Sequence, residues 1–336
     1  MTKSNTSEIV SRTQAAICKA LDPLFPASGK FALLDFPNYT NVGDSAIWLG
    51  EIAYFKKQHN AKPIFVSQIV RHSSDEMRKH LSDGTIYING GGNFGDLWVW
   101  HQDFREKIIK EFPKNAIVQL PVSIHFQDSG RLSQTAKAIA EHPDFTLTVR
   151  DHESLKIAQD NFSCKTILCP DMAFMLGAQQ EIAAHKDLLL LLRTDSEKRS
   201  GIASGLNNFP VAEDWLNEPQ NTERYAQIRA VLATMLSLDL SRINRSALRE
   251  LFFRYLAEDR LHRGLKQIQD ARFIITDRLH THILSLLSDR PHIALDNSYG
   301  KIGNFMRAWT LDSNISTRAE TLEQAADIYM QNKKAA

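Results

Sequence analysis

Cysteine, proline and long apolar runs are all scarce in this 336-residue chain: three Cys, eleven Pro, and no uninterrupted apolar run of membrane-spanning length. Cys18, Cys164 and Cys169 are too few and too scattered for a disulfide framework, and no second ligand pair accompanies them to make a zinc site. A membrane helix needs roughly 18 consecutive apolar residues. The polar N-terminus lacks a signal-peptide core, so the expected compartment is the cytoplasm, with the inner face of the plasma membrane as the place of any peripheral association. A formal net charge of +1 gives no reason to expect nucleic acid as a partner. Locally, nine Lys/Arg face five Asp/Glu between Arg242 and Arg278; this stretch reads as a solvated helix face, part of which could meet an anionic substrate or surface.

What is present is an alternation of short strands and helices. The length suits two domains of about 150 residues each, and the pattern divides them as 1–180 and 181–336. Strands are expected at 31–34, 63–66, 85–88, 116–120, 145–149 and 166–168, with helices such as 45–58 and 132–140 between them. Such spacing predicts an α/β protein with parallel sheets, two Rossmann-like domains facing a cleft. A second unit opens with the run Leu188 to Leu192, ends its next strand at Thr276, adds another at 292–295 and closes with a C-terminal helix near 322–330. The polar stretch 194–222 reads as a loop or lid.

Ligands in parallel sheets bind beyond the strands' carboxyl ends, and chemistry-bearing residues cluster there. After the first strand come Asn41, Gly43, Asp44 and Ser45, with Asp44 or Ser45 expected as the helix cap. After the third comes Gly90-Gly91-Gly92-Asn93, whose spacing fits neither the dinucleotide fingerprint nor the phosphate loop. His125 follows the fourth strand and Arg150-Asp151 the fifth, with Asp171 and Lys301 as similar candidates. The strongest signal is Thr276-Asp277-Arg278-Leu279-His280-Thr281-His282, where a strand delivers a guanidinium and two imidazoles into the start of a helix. That arrangement suits an anion whose reaction moves protons.

In their order along the chain, Asn41-Val42-Gly43-Asp44, Gly90-Gly91-Gly92-Asn93, Val149-Arg150-Asp151, Cys169-Pro170-Asp171 and Asp277-Arg278-Leu279-His280 resemble the polysaccharide pyruvyl transferase family, in its bacterial exopolysaccharide branch. The resemblance implies a fold similar to the GT-B glycosyltransferase architecture, phosphoenolpyruvate as donor substrate, no further cofactor and no metal. It implies a sugar acceptor, as a lipid-linked oligosaccharide, and a pyruvate ketal as product. Catalytic roles fall on His280 as general acid or phosphate ligand, and on Asp44 as base or acceptor-orienting carboxylate, with His125 in reserve. Substrate binding falls on Arg278, Leu279, Arg150, Asn41, Gly91, Gly92, Asn93, His282 and Lys301. A nucleotide-sugar glycosyltransferase of the same fold is the competing reading, and an idle anion-binding protein the third.

Overall fold

The computed structural model describes residues 3–180, 182–194, 209–236, 245–296 and 300–335. In chain order the first half runs α1 (Thr6–Leu21), β1 (Phe31–Leu34), α2 (Val42–His59), β2 (Phe65–Ser67), α3 (Ser74–His80), β3 (Thr85–Ile88), β4 (Gly91–Gly95), α4 (Val99–Glu111), β5 (Ile117–His125), α5 (Ser129–Ala140), β6 (Phe145–Val149), α6 (His152–Asn161) and β7 (Lys165–Leu168). The second half runs β8 (Lys186–Leu191), α7 (Thr222–Leu236), α8 (Arg245–Gln269), β9 (Ala271–Thr276), α9 (Leu279–Leu287), β10 (His292–Leu295), α10 (Lys301–Trp309), β11 (Ser316–Ala319) and α11 (Leu322–Ala335).

Among the described residues there are two sheets, both parallel. The larger has the order β2-β1-β3-β5-β6-β7 with β4 attached to β5, and the smaller the order β11-β10-β9-β8. Strands β1, β3 and β6 are buried along their whole length, as strands covered on both faces must be. Strand β5 runs past its expected end because β4 gives its last residues a partner, while the missing N–H of Pro121 falls at the break in its pairing with β6. The glycine stretch is thus strand β4 rather than an open turn. Gly90 lies against the Pro121 carbonyl and Gly95 against that of His125, so a β-carbon at either would strike backbone.

Two helices sit between the sheets. In α9 every residue is buried, and α2 buries residues on all its faces, including Trp48, Tyr54 and Phe55. A helix buried on all sides belongs inside, and each such large side chain contributes about 1.5–3 kcal/mol by its burial. One apolar cluster continues from Phe31 and Trp48 through Phe253 to Leu189 and Ile274, joining both sheets, and the Phe36 and Phe253 rings stack at 4.0 Å.

The basic stretch mostly turns inward. Arg249 holds Glu76 at 2.9 Å, Arg260 holds Glu218 at 2.7 Å, and Arg263 donates to the Thr40 carbonyl at 2.6 Å. These arginines staple α8 to α3 and to the loops around it instead of presenting a solvated face; residues 242–244 lie outside the described ones. No helix among the described residues is long and apolar enough to cross a membrane.

Candidate active site

The loops beyond the carboxyl ends of both sheets line one cavity of about 290 Å³. From the larger sheet come Asn41 and Asp44 after β1, Gly92 and Asn93 after β3, and Arg150 after β6; from the smaller come Arg193 after β8, Arg278, Leu279 and His280 after β9, and Lys301 after β10. Three helices, α2, α9 and α10, begin at this space, with Asn41, Leu279 and Lys301 in its wall, while Asn41 takes the Gly43 N–H and Asp296 takes those of Ile302 and Gly303.

Helix α2 starts earlier than its sequence suggests. The cap is Asn41, whose side-chain oxygen accepts from Gly43 N–H at 3.2 Å, not Asp44 or Ser45. Its extended backbone suits the capping position, and this leaves Asp44 in the first turn, where it accepts from the Asn41 amide at 2.6 Å. Tyr39 lies against Asp44, and burial together with the Asp44 and Asp35 carboxylates holds its hydroxyl well above the ordinary range.

Arg150 is 1 % exposed. Its Nη1 donates to Asp171 at 2.6 Å and its Nε to Ser123 at 2.9 Å, which aims Nη2 toward Gly92, where a built β-carbon would lie 3.2 Å away. Lys301 Nζ occupies the same space, so a side chain at 92 would displace the lysine and press on Arg150. Asp171 also meets His280 Nε2 at 3.3 Å. Burial alone would raise this carboxyl, but His280, Arg150 and the Ala173 N–H overcome it and hold Asp171 well below the usual carboxylate range. The His280 ring rests on Gly43, whose missing side chain makes room for it.

Arg278 reaches the cavity with its Nη2 held by Asp214 at 2.5 Å. Asp214 also accepts from Thr194 N–H at 2.8 Å and belongs to the stretch expected to be a lid. Of that stretch 195–208 lies outside the described residues, while Trp215 and Leu216 line the cavity beside Asp214. Asp277 faces away, accepting from Arg193 N–H at 2.8 Å.

Three expected site residues, His282, His125 and Gly91, do not line this cavity. His282 is fully buried, with Nδ1 2.7 Å from His292 and Nε2 2.9 Å from Thr310, because a two-residue step turns it to the far side of α9. His125 lines an adjoining cavity of about 360 Å³ with Ser123, Asp151 and Asn304; Gly92 and Lys301 form part of the wall of both. Gly91 stands at φ 120°, facing Ile47 and Asp44, where its backbone requires glycine. Residues 297–299 of the expected motif lie outside the described ones.

The sequence reading missed Asp35, His101, Arg193, Asp214 and the aromatic wall of Trp98, Trp100 and Trp215. Arg193 and Asp35 each follow a strand and carried that signal, whereas His101 sits inside a helix with nothing local to mark it.

The sequence profile of the family described as polysaccharide pyruvyl transferase matches residues 41–299. Pyruvyl transferase 1 of Schizosaccharomyces pombe is 31% identical over 323 residues, covering 91% of this chain and 77% of that one. The putative pyruvyl transferase EpsO of Bacillus subtilis is 32% identical over 297 residues, covering 85% and 87%. A functionally uncharacterized protein of Klebsiella pneumoniae has the same fold, with a TM-score of 0.60 at 17% identity, covering 92% of this chain and 99% of that one. With its profile match spanning most of the sequence and these relatives aligned over more than three quarters of each chain, the chain is an enzyme that belongs to the polysaccharide pyruvyl transferase family.

Proposed function

We propose that this enzyme binds phosphoenolpyruvate in the cleft between domains 1–180 and 181–336 and transfers its enolpyruvyl group to a sugar of an exopolysaccharide or of its lipid-linked repeat unit, in the cytoplasm, closing a pyruvate ketal. The observation that carries the reading is the convergence of Arg150, Arg193, Arg278 and Lys301 on one cavity. Phosphoenolpyruvate carries a carboxylate and a phosphate and needs at least two cationic anchors. Arg150 and Lys301, side by side at Gly92, suit one group, and Arg278 suits the other.

The chemistry runs in two additions. First C3 gains a proton, a sugar oxygen bonds to C2 and loses its own proton, and the adduct still carries phosphate. Then the C2–O bond to phosphate breaks, the leaving phosphate takes up a proton, and a second hydroxyl of the same sugar bonds to C2 and gives up its proton. The two protons lost by the hydroxyls equal those gained by C3 and by phosphate. His280, oriented by Asp171, supplies protons on the donor side. Asp44, steadied by Asn41 and Tyr39, orients acceptor hydroxyls.

Calorimetric titration with phosphoenolpyruvate, beside UDP and GDP, tests the donor. Selective binding of phosphoenolpyruvate that weakens at least about tenfold in Lys301→Ala, and likewise in Arg278→Lys through loss of the bidentate fork, is expected. Selective binding of a nucleotide would overturn the proposal in favour of glycosyl transfer.

A further inference from the structure

Resting on that reading, we propose that His101, with Asp35 as its positioning residue, is the general base that deprotonates the acceptor sugar, and that the adjoining Trp98, Trp100 and Tyr39 form the acceptor platform. Neither member of the pair belongs to the motifs that mark the site in the sequence. Asp35 ends β1 at φ 67°, a backbone that only Asp, Asn and Gly adopt at modest cost, and is 1 % exposed. Its Oδ2 lies 2.8 Å from His101 Nδ1. This is the arrangement in which a carboxylate fixes the imidazole tautomer, with the proton on Nδ1 and Nε2 left as the basic atom.

The surroundings hold the ring in place. Asn93 packs beside the ring, its Nδ2 3.3 Å from Nδ1 in a contact between two N–H groups rather than a hydrogen bond, and its Oδ1 accepts from Arg105 at 3.0 Å. Arg105 is itself buried, donates to Gln119 and Gln102 at 2.6 Å each, and lies over the Phe94 ring. So elaborate a support for one imidazole is unnecessary for packing, which an apolar side chain would serve. His101 lines the same cavity as His280, Arg150 and Lys301, with Asp35 buried behind it, so the imidazole shares the space proposed for the donor.

The nature of the acceptor follows from the neighbours. Tyr39 and Trp100 flank His101, with ring centroids 6.2 and 6.1 Å from it, and Trp98 lies 6.1 Å from Trp100. Trp100 is 62% exposed at the cavity's edge, where a large apolar ring gains nothing from the fold. A pyranose has an apolar C–H face and a polar rim, and aromatic rings with polar edges accept that combination. With the C–H face on the tryptophans, a rim hydroxyl reaches Nε2. In each addition the O–H bond breaks, its proton goes to His101 Nε2, and the oxygen bonds to C2. Return of that proton through the cavity recharges the donor-side acid, so both groups end each cycle as they began.

Imidazole ¹⁵N NMR on the intact chain reads the tautomer without any acceptor. A protonated Nδ1 and a bare Nε2 on His101 at pH 8, lost in Asp35→Asn, are expected; a proton on Nε2 overturns the assignment. Asn tolerates the positive φ, so that variant keeps the fold. Turnover is read as phosphate release from phosphoenolpyruvate with methyl galactopyranoside, glucopyranoside and mannopyranoside, whose 4,6-diols close six-membered ketals. His101→Gln should lower kcat by about 10²- to 10⁴-fold and remove the acidic limb of its pH profile, with donor affinity by calorimetry unchanged. An equal loss of donor affinity, or kcat within about threefold of wild type, overturns the base assignment. Failure of the wild-type chain to bind phosphoenolpyruvate would instead sink the parent reading while the NMR result still stands or falls by itself.

Discussion

His280 and His282 sit two residues apart on α9, yet one faces a cationic cleft and the other a sealed core. At about 100° per residue, two steps carry a side chain to the opposite face of a helix. His280 has Gly43 on one side and the Asp171 carboxylate on the other, at the cavity wall. His282 has His292 and Thr310 as partners, all three almost wholly buried. Because His292 Nδ1 donates to the Arg290 carbonyl at 2.8 Å, its Nε2 must accept from His282 Nδ1, and His282 Nε2 accepts from Thr310. This set of bonds takes both rings as neutral, the form that burial favours. Burial pushes His282 well below the ordinary histidine range, aided by His292, and burial takes His292 down to about 4, against the pull of the Arg290 carbonyl. The comparison teaches that the same residue type in one motif serves proton chemistry on one face and packing on the other.

That contrast can be broken experimentally. The largest effect is expected from His280→Gln, with kcat down about 10²- to 10⁴-fold and the thermal midpoint within a few degrees. Donor affinity measured alongside separates the roles, since an equal loss of affinity would make His280 a ligand rather than a proton donor. His282→Ala should do the reverse, costing about 2–4 kcal/mol of stability by leaving a cavity and unpartnered groups on His292 and Thr310. Denaturant unfolding checks the loss, and turnover per folded molecule should stay near wild type.

Acid should sharpen the difference next. The folded-state values of His282 and His292 lie below the unfolded value near 6.5, so the unfolded chain binds more protons in that range. Their contribution is full above pH 6.5 and is lost as pH falls from there toward about 4. Thermal midpoints should decline over that window by the equivalent of about 1–3 kcal/mol, and His292→Leu should flatten the decline. A slope unchanged in that variant would show that other groups drive it. Smallest of the four is Gly43→Ala, whose new β-carbon meets the His280 ring. Turnover should drop about tenfold through misplacement of that ring, with stability changed by about 1 kcal/mol.

Much of the frame was legible in local pattern. The strands Phe31–Leu34, Thr85–Ile88, Phe145–Val149 and His292–Leu295 stand where their apolar runs predict them. Strand β11 escaped notice because Ser316–Ala319 is short and polar at all but its last residue, an edge strand with only its ends buried. The glycine stretch looked like a loop because glycine disfavours strands, but close approach to β5 demanded it. Arg150, Arg278, His280 and Lys301 were visible as charges following strands. Arg278's partner Asp214 was not, being 64 residues away in a segment without periodicity.

Composition and periodicity by themselves determined the parallel α/β class and the residues buried in most strands, while the family was legible only through the resemblance of its ordered motifs. Those features are local, since burial and period are written in neighbouring side chains. Tertiary structure alone decided which charges share a cavity, which histidine of α9 faces it, and that Asp35 meets His101 across 66 positions of chain. Such outcomes depend on how two sheets pack against α2 and α9 and on the direction each side chain leaves its helix, which spacing along the chain does not encode.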